Sequence, residues 1–332
     1  MKKATIHDIC DLTGLSSGTV SKYLNGGAIK EKNRILLADA IQKLNYHVDE
    51  YARGLITNKT KTVGILVSRL DNLFYSRMIF DIEEQLYRKG YATIIKESSY
   101  DIQKEQKSIS WFISHRVDAL IIFPISNRRE DYKLLEEVDV PVIFLDNYVE
   151  GVDRDFILTN NEQISYEVTD CVIKKGHRHI AIIVDGNNAY TSNCRLKGFK
   201  RAFVDNNIGE ENAKIYKINQ SIDYAYKVGK EILSEKKVTA IFAANYISTV
   251  GCVYLLNELN ISVPKTISIV GFDDIMITSL YRPKLTIVNQ PMAEIAQKTV
   301  ERLFELLAEP SLKKQVFILN SKLVYGQTIA TI

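Results

Sequence analysis

From Val63 onward, short apolar runs recur between segments of helix length, and that alternation decides the fold class. Gly64–Ser68, Thr93–Glu97, Ala119–Phe123 and Pro141–Asp146 form one series. Ile180–Val184, Lys214–Ile218, Thr239–Ala244 and Thr266–Phe272 repeat it about 110–120 residues later. Near-continuous apolar strands separated by amphipathic helices require a parallel sheet covered on both faces and joined by right-handed crossovers. Two such series predict two similar α/β lobes in tandem. A late segment (Leu285–Pro291) and a last helix (Met292–Leu307) then return toward the first lobe.

The first sixty residues follow another rule, with helical periodicity and no strand-like alternation. Thr5 is a good N-cap before Ile6, Ile9 and Cys10, and Asp8 in the first turn suits the helix dipole. Gly14 breaks that helix, Ser16 caps a second one that turns Val20, Tyr23 and Leu24 inward, and Gly26-Gly27 ends it. A third helix from about Lys32 to Leu44 carries Leu37, Ala38, Ile41 and Leu44 on one face. Three short helices, the first two joined by a tight glycine turn, predict a helix-turn-helix. The second helix offers Ser17, Gly18, Ser21, Lys22 and Asn25 outward: short polar groups and one cation, the equipment of a major-groove reader. Residues 47–62 lack a core face and read as a linker.

Charge agrees with this division. Residues 1–62 carry ten Lys or Arg against six Asp or Glu, a net of +4, whereas the remainder carries 33 against 34. An excess of positive charge on a small N-terminal segment suits a polyanionic partner. Four scattered cysteines without a CxxC pair argue against a disulfide framework or structural zinc and predict a reducing compartment. No run approaches a membrane span, and Met1–Leu12 has no apolar signal-peptide core, so a cytoplasmic protein is expected.

Signatures of catalysis and of cofactors fail on inspection. GxGxxG and GxxxxGK[ST] are absent, so no nucleotide cofactor is expected, nor any other. Gly14-Leu15-Ser16-Ser17-Gly18 matches GxSxG formally, but a nucleophile elbow needs a preceding strand and a helix precedes it here. Asp273-Asp274 ends a buried strand without a partner carboxylate or histidine in sequence. His177-Arg178-His179 suits opposite faces of a strand better than a shared metal. No catalytic residue and no metal site is expected.

The order T-I-x-D-I-x-x-x-x-G-x-S-x-x-T-V-S-K-x-L-N, from Thr5 to Asn25, closely resembles the headpiece of the lactose-repressor (LacI/GalR) family of bacterial transcription regulators. The resemblance runs along essentially the whole chain. Leu44-Asn45-Tyr46 and Ala52-Arg53-Gly54-Leu55 look like the headpiece end and hinge helix. Arg116 to Ala119, Gly176 to Ala181, Arg195 to Phe199, Ala240 to Asn245, Val263 to Asp274 and Leu285 to Pro291 look like landmarks of the core.

The resemblance implies a helix-turn-helix headpiece (residues 1–47), a hinge helix and linker (48–62), and a two-lobed core like a periplasmic binding protein (63–332). Lobe 1 would take about 63–161 and 290–320, and lobe 2 about 162–289 and 321–332. Ser17, Gly18 and Lys22 would face base edges, with Ser16, Thr19, Ser21 and Asn25 near phosphates, Thr5 also in the DNA-binding set and Leu55 wedged into the minor groove. Ser68, Asn72, Phe74, Tyr75, Asp146, Asn161, Arg195, Asn245, Asp273 and Gln290 would meet a small effector between the lobes, at the carboxyl ends of the strands. Those groups suit the hydroxyls of a neutral sugar. The implied partners are a near-palindromic double-stranded operator, the effector and a second copy of the chain; Ile332 is reached without a leucine heptad, so a dimer is expected rather than a tetramer.

Several positions depart from the family pattern. Lys22 stands where Arg is usual, Gly18 offers no side chain to a base, and Val48 replaces the proline before the hinge. Asp49 and Glu50 bring negative charge to that hinge. Asn160 and Tyr246 replace common aspartates, and Gln220 lies where aromatic rings often stack on sugar. A purine or phosphorylated corepressor is the rival effector. A solute-binding protein without DNA, or a sugar-processing enzyme with Asp273 as base, are the rival classes.

Overall fold

The computed structural model describes residues 4–46, 59–187, 189–273 and 280–332. Two compact units divide the chain after Thr60. The first holds α1 (Ile6–Thr13), α2 (Ser17–Leu24) and α3 (Glu31–Lys43). Thr5 closes a capping box on α1: its Oγ1 accepts the Asp8 N–H at 3.3 Å, and Asp8 accepts the Thr5 N–H at 2.7 Å. Gly14 stops the helix at φ 67°, in the left-handed region where glycine carries no side-chain penalty. Ile9, Val20, Leu37 and Ala40 form the core of this unit, ringed by Tyr23, Leu24, Ile41 and Leu44.

One expectation is corrected there. Ala38 is exposed and Ala40 is buried in its place. Leu37, Ala40, Ile41 and Leu44 are the i, i+3, i+4, i+7 set, and residue 38 rotates out of that stripe. The expected hinge helix (about 49–56), with Leu55, Val48, Asp49 and Glu50, lies outside the described residues.

The second unit begins at Lys61 and is α/β. In chain order it runs β1 (Thr62–Val67), α4 (Leu73–Arg88), β2 (Ala92–Glu97), α5 (Ile102–Ser114), β3 (Ala119–Ile122), α6 (Lys133–Glu136), β4 (Val142–Leu145) and β5 (Asp155–Thr159). Then come α7 (Asn161–Lys174), β6 (Ile180–Asp185), α8 (Tyr190–Asp205), β7 (Ala213–Ile218), α9 (Ile222–Ser234), β8 (Ala240–Ala243) and α10 (Tyr246–Glu258). The chain closes with β9 (Ser268–Phe272), β10 (Thr286–Asn289), α11 (Met292–Ala308), β11 (Val316–Leu319) and β12 (Lys322–Val324).

Two six-stranded sheets result, ordered β11-β5-β4-β3-β1-β2 and β12-β10-β9-β8-β6-β7. The orders correspond strand for strand, so each lobe repeats the other. Four apolar runs per lobe were expected and six strands are found. β5 opens on the buried Asp155, and β11 and β12 are half exposed, so none reads as an apolar run. β12 pairs antiparallel with β10, which makes the second sheet mixed rather than wholly parallel. The chain crosses between sheets after β5, after β10 and between β11 and β12.

One close helix contact and two buried polar clusters hold this frame. Gly198 lets α8 approach α7 so closely that an added Cβ would sit 2.0 Å from the Glu162 carbonyl oxygen. Beside it in importance, His177 is buried and ties Thr239 (2.8 Å), Ser268 (3.2 Å) and the Ala330 carbonyl (3.2 Å), fixing the C-terminal tail onto lobe 2. In lobe 1 the Arg302–Asp155 ion pair (2.7 Å) is nearly solvent-free and also binds the Lys313 carbonyl. No helix among the described residues is long and apolar enough to cross a membrane.

Glu105 on α5 is fully buried, accepting the Tyr132 hydroxyl at 2.5 Å and the Ile125 N–H at 3.3 Å, while its Oε2 has no partner. Burial pushes its carboxyl up to about 7, against the pull of those donors. The folded chain therefore binds a proton that the unfolded chain has released between the ordinary glutamate value and about pH 7, so this group makes stability fall as pH rises through that window. Glu105→Gln should flatten the profile there, leaving the variant more stable relative to wild type at pH 8 than at pH 4.5 by about 3 kcal/mol. Urea unfolding at both pH values measures this; parallel profiles would show that Glu105 is not the titrating group.

Candidate functional site

In the first unit the polar face of α2 is laid out by its own ends. Ser16 caps the helix, its Oγ lying 3.0 Å from Thr19 Oγ1 and accepting the Thr19 N–H at 3.4 Å. Val20 points into the core, so Ser17, Gly18, Ser21, Lys22 and Asn25 fall on the opposite side and are exposed. Asn25 Nδ2 reaches Ser21 Oγ at 3.4 Å. Thr5 and Ser16 are exposed as well, and Thr19 is half-buried. Gly18 has an ordinary helical backbone, and a Cβ there would meet nothing within 4 Å. Neither fold nor space demands glycine at this position, which bares the helix backbone to whatever approaches.

In the second unit, the carboxyl ends of both sheets face one cleft. Asp146 follows β4 and Asp273 follows β9, which are corresponding strands. Both aspartates adopt φ 70°, and each backbone N–H bonds the neighbouring strand, Asp146 to Ile157 O (3.1 Å) and Asp273 to Val288 O (2.9 Å). Each lobe thus turns one carboxylate out of its sheet by the same left-handed step, a conformation that non-glycine residues hold only under constraint.

Arg195 on α8 lies between them, 5% exposed. Its Nε donates to Asn161 Oδ1 (2.7 Å), its Nη1 donates to the Ala244 carbonyl (2.7 Å), and its guanidinium carbon stands 3.8 Å from the centre of the Phe272 ring. A chain of bonds continues to the far side: Asn161 Nδ2 to Thr159 Oγ1 (3.1 Å), Thr159 Oγ1 to Gln290 Oε1 (3.0 Å), Gln290 Nε2 to Asp273 Oδ1 (2.6 Å). Among the described residues, Nη2 of Arg195 donates to no protein group, and the Asp146 carboxylate accepts no hydrogen bond and joins no ion pair. Asn72 and Asn245 cap α4 and α10 through their oxygens, at 3.0 Å to Phe74 N and 2.7 Å to Ser248 N, which leaves their amide nitrogens for the cleft.

The electrostatics are those of charge taken out of water. Burial raises Asp146 to about 6, Asp273 adding to the rise and Arg195 opposing it. Asp273 is also raised by burial, against Arg195 and Gln290. Asp185, at the end of β6, is raised by burial too, with the Gln220 amide as its chief counterweight. Burial lowers Arg195, and the two aspartates pull it back. Three carboxylates therefore surround one guanidinium. No group of three or more His, Cys, Asp or Glu among the described residues could hold a metal ion.

Comparison with known proteins places this architecture. Residues 169–329 match the periplasmic binding protein-like domain. The chain is 30% identical over 332 residues to an HTH-type transcriptional repressor PurR of Vibrio atlanticus, covering 99% of each. It belongs to the LacI/GalR family of transcriptional regulators. A lac repressor dimer bound to operator and the anti-inducer ONPF superimposes with a TM-score of 0.88 at 23% identity, over 99% of this chain and 100% of that one. A LacI family regulator from Enterococcus faecium with bound ribose gives 0.75 at 25% identity, over 82% and 99%.

Against the set of cleft residues read from sequence, Asn72, Phe74, Tyr75, Asp146, Arg195, Asn245, Asp273 and Gln290 line the cleft. Ser68 and Asn161 do not. Ser68 is buried behind the wall beside Tyr75 and Tyr100, and Asn161 is buried beneath Arg195, whose guanidinium it positions. Sequence reading missed Tyr100, Asp185, Asn147 and Thr191 as cleft residues. Asp185 ends an apolar run, the signal that singled out Asp146 and Asp273, and could have been found that way. Asn147 Oδ1 accepts from Thr191 N and Oγ1 (both 3.3 Å), a bond from one lobe to the other. Asp274 lies outside the described residues.

For a LacI/GalR headpiece, Gly18 is the instructive position. Gly18→Ala should stabilise the first unit by about 0.5–1 kcal/mol, since alanine is the better helix former and meets no clash. If the bare backbone serves close approach to DNA, the same variant should bind operator at least several-fold more weakly. Thermal melts with operator titrations check both, and unchanged affinity would remove Gly18 from the interface.

Proposed function

We propose that this regulator reads a near-palindromic operator as a homodimer through Ser17, Gly18 and Lys22, with Thr5, Ser16, Thr19, Ser21 and Asn25 on phosphates. Leu55 is assigned to the minor groove on the family resemblance. A neutral sugar held between the core lobes sets operator affinity. The observation that carries the effector reading is the unpaired Arg195 Nη2 with the unpaired Asp146 carboxylate, one donor and one acceptor in a partly desolvated cleft. Buried polar groups without partners are costly, and a hydroxyl that both donates and accepts satisfies both at once. A phosphate would meet Asp146, Asp185 and Asp273 with one guanidinium already engaged, which disfavours a phosphorylated corepressor. A purine base is the rival ligand: Phe74 and Tyr75 pack edge-on against each other at 63°, and Tyr100 and Tyr246 are the further rings in the lining that a base would need as a stacking face.

The cleft is read as a binding site without catalysis, because Asp273 is tied to Gln290 rather than poised beside a nucleophile. A regulator of chromosomal DNA acts in the cytoplasm, and that is the location proposed.

Loss of function should separate by unit. Operators selected from a random library by the purified protein supply the probe. Lys22→Ala should weaken the selected operator by about 1–3 kcal/mol and spare effector binding. Asp273→Ala should keep operator affinity and lose the effector response. Equal weakening of random DNA by Lys22→Ala would end the base-reading role; an unchanged effector response in Asp273→Ala would end the cleft assignment; turnover of a bound sugar would make the protein an enzyme.

Dimerisation is assigned to the free sheet edges. β2 and β7 are the corresponding open edges of the two sheets. Beside them lie exposed Ile95, Phe80 and Tyr87 on lobe 1 and Ile215, Tyr224 and Tyr254 on lobe 2. Apolar rows of this kind mark association surfaces. Sedimentation should find a dimer at micromolar concentration, shifted toward monomer by Phe80→Glu with Tyr254→Glu. A monomeric wild type, or a double variant as dimeric as wild type, would refute the surface.

A further inference from the structure

On lobe 1 the cleft wall includes a stretch that no backbone partner holds. Pro124 and Ile125 line the cleft just past β3. The Ile125 N–H donates to Glu105 Oε1 at 3.3 Å, and the Ser126 N–H donates to the Tyr132 hydroxyl at 3.3 Å. That hydroxyl in turn donates to the same Glu105 oxygen at 2.5 Å and lies 3.4 Å from the Ser126 carbonyl oxygen. Two successive backbone donors therefore hang on one carboxyl–phenol pair inside the lobe, in place of a strand or helix partner.

The pair sits out of water. Glu105 and Tyr132 are buried, and the phenol packs edge-on against Phe144. Glu105 Oε2 has no partner, and neither has the Oγ of the buried Ser98 beside the carboxyl. Charged neighbours bring no relief. The turn before α6 contributes Asp131, which repels a carboxylate here and accepts the Ser126 hydroxyl at 2.5 Å. On α6, Lys133 and Glu136 are exposed, as are Asp101, Lys104 and Lys107 around Glu105 on α5 itself. β1 carries no titratable residue; β2 commits Lys96 to the Trp111 ring, at 4.6 Å, and Glu97 to the Leu70 N–H and the Ser99 hydroxyl. Such surroundings suit a neutral acid, and burial accordingly pushes the carboxyl up to about 7. An ionised Glu105 demands hydration. Ile125, Ser126 and Asp131 form the half-buried side of the cluster, so water reaches the carboxylate by displacing the wall segment.

The same segment carries a contact between the lobes. The Pro124 carbonyl accepts Asn147 Nδ2 at 3.2 Å, which turns Asn147 Oδ1 toward the Thr191 N–H and hydroxyl of lobe 2, both at 3.3 Å.

We propose that Glu105 and Tyr132 form a proton-linked switch of the cleft wall. Protonated, the pair holds Pro124–Ser126 in place and, through Asn147, keeps the lobes bonded at Thr191; ionised, it releases both. The closed cleft is thus favoured below neutral pH and weakens as pH rises through the upper titration of Glu105. The switch is independent of which ligand the cleft takes.

Hydrogen exchange on the full, ligand-free chain tests this, resolved to single amides and corrected for the chemical exchange rate at each pH. From pH 6 to pH 8 the protection of the Ile125, Ser126 and Thr191 amides should fall about tenfold in wild type. Glu105→Gln keeps an acceptor oxygen and cannot ionise, so its protection should stay level across that range. Tyr132→Phe removes a donor that favours the ionised form, so the fall at Ile125 should move to higher pH. Level protection in wild type, a fall that Glu105→Gln retains, or a Thr191 amide that does not follow Ile125 would overturn the switch. So would an equal fall throughout β6 and α7, which would mark unfolding of the whole unit rather than release of the wall.

Discussion

A guanidinium taken out of water at the seam of two lobes must be compensated, and the compensation here comes from both. Arg195 is held by Asn161 and the Ala244 carbonyl, lies on the Phe272 ring, and feels Asp146 from lobe 1 and Asp273 from lobe 2. A charge so placed costs several kcal/mol of lost hydration, recovered only when donors and carboxylates stand in position. The closed arrangement of the lobes is therefore an electrostatic requirement as well as a packing one. Opening the cleft would pull Asp146 away from the guanidinium, and a ligand that bridges Nη2 to that carboxylate strengthens the closed state by the same interaction.

The repeat of the two sheets explains why the carboxylates are where they are. Corresponding strands β4 and β9 end in Leu145 and Phe272, and the next residue in each case turns into left-handed backbone so that its side chain leaves the sheet toward the seam. Asp185, the last residue of the interior strand β6, does not take that step, and is held instead by Gln220. Two lobes of one design facing each other bring acceptors from opposite directions onto one cation. A binding cleft with charge on both walls follows from the topology, and its specificity is decided by what fills the remaining gaps.

Period and punctuation made much of this readable from sequence. The strand runs, the crossover helices, the caps at Thr5 and Ser16, and the aspartates closing apolar runs all carry local signals. The sequence reading puts Ala38 on the inward face where the structure has Ala40, because two alanines on one helix carry equally small apolar side chains and give no signal to choose between them. Tyr100 left no trace, since its place in the wall depends on two left-handed residues that no propensity favours. The roles of Asn161 and Ser68 were also beyond reach: whether a polar residue after a strand faces ligand or supports one that does is set by side chains far off in sequence, such as Arg195 reaching back to Asn161. Asn72 and Asn245 do both, capping a helix with the oxygen and offering the nitrogen.

How a ligand at the seam could be felt elsewhere in the core is visible in the three chain crossings. Thr159, just before the first crossing, donates to Gln290 in the second. Asn160 in the first accepts the Ser321 N–H of the third at 2.8 Å, and its own N–H bonds the Leu319 carbonyl at 3.1 Å. The crossings are thus bonded to one another. They are also bonded to the charges, Gln290 to Asp273 and Asn161 to Arg195. Any ligand that engages Arg195 or Asp273 loads the very residues about which one lobe can turn on the other, without an intervening relay. A coupling of about 1.4 kcal/mol suffices for a tenfold change in affinity at a second site. That is the scale of a single hydrogen bond gained or lost in this network.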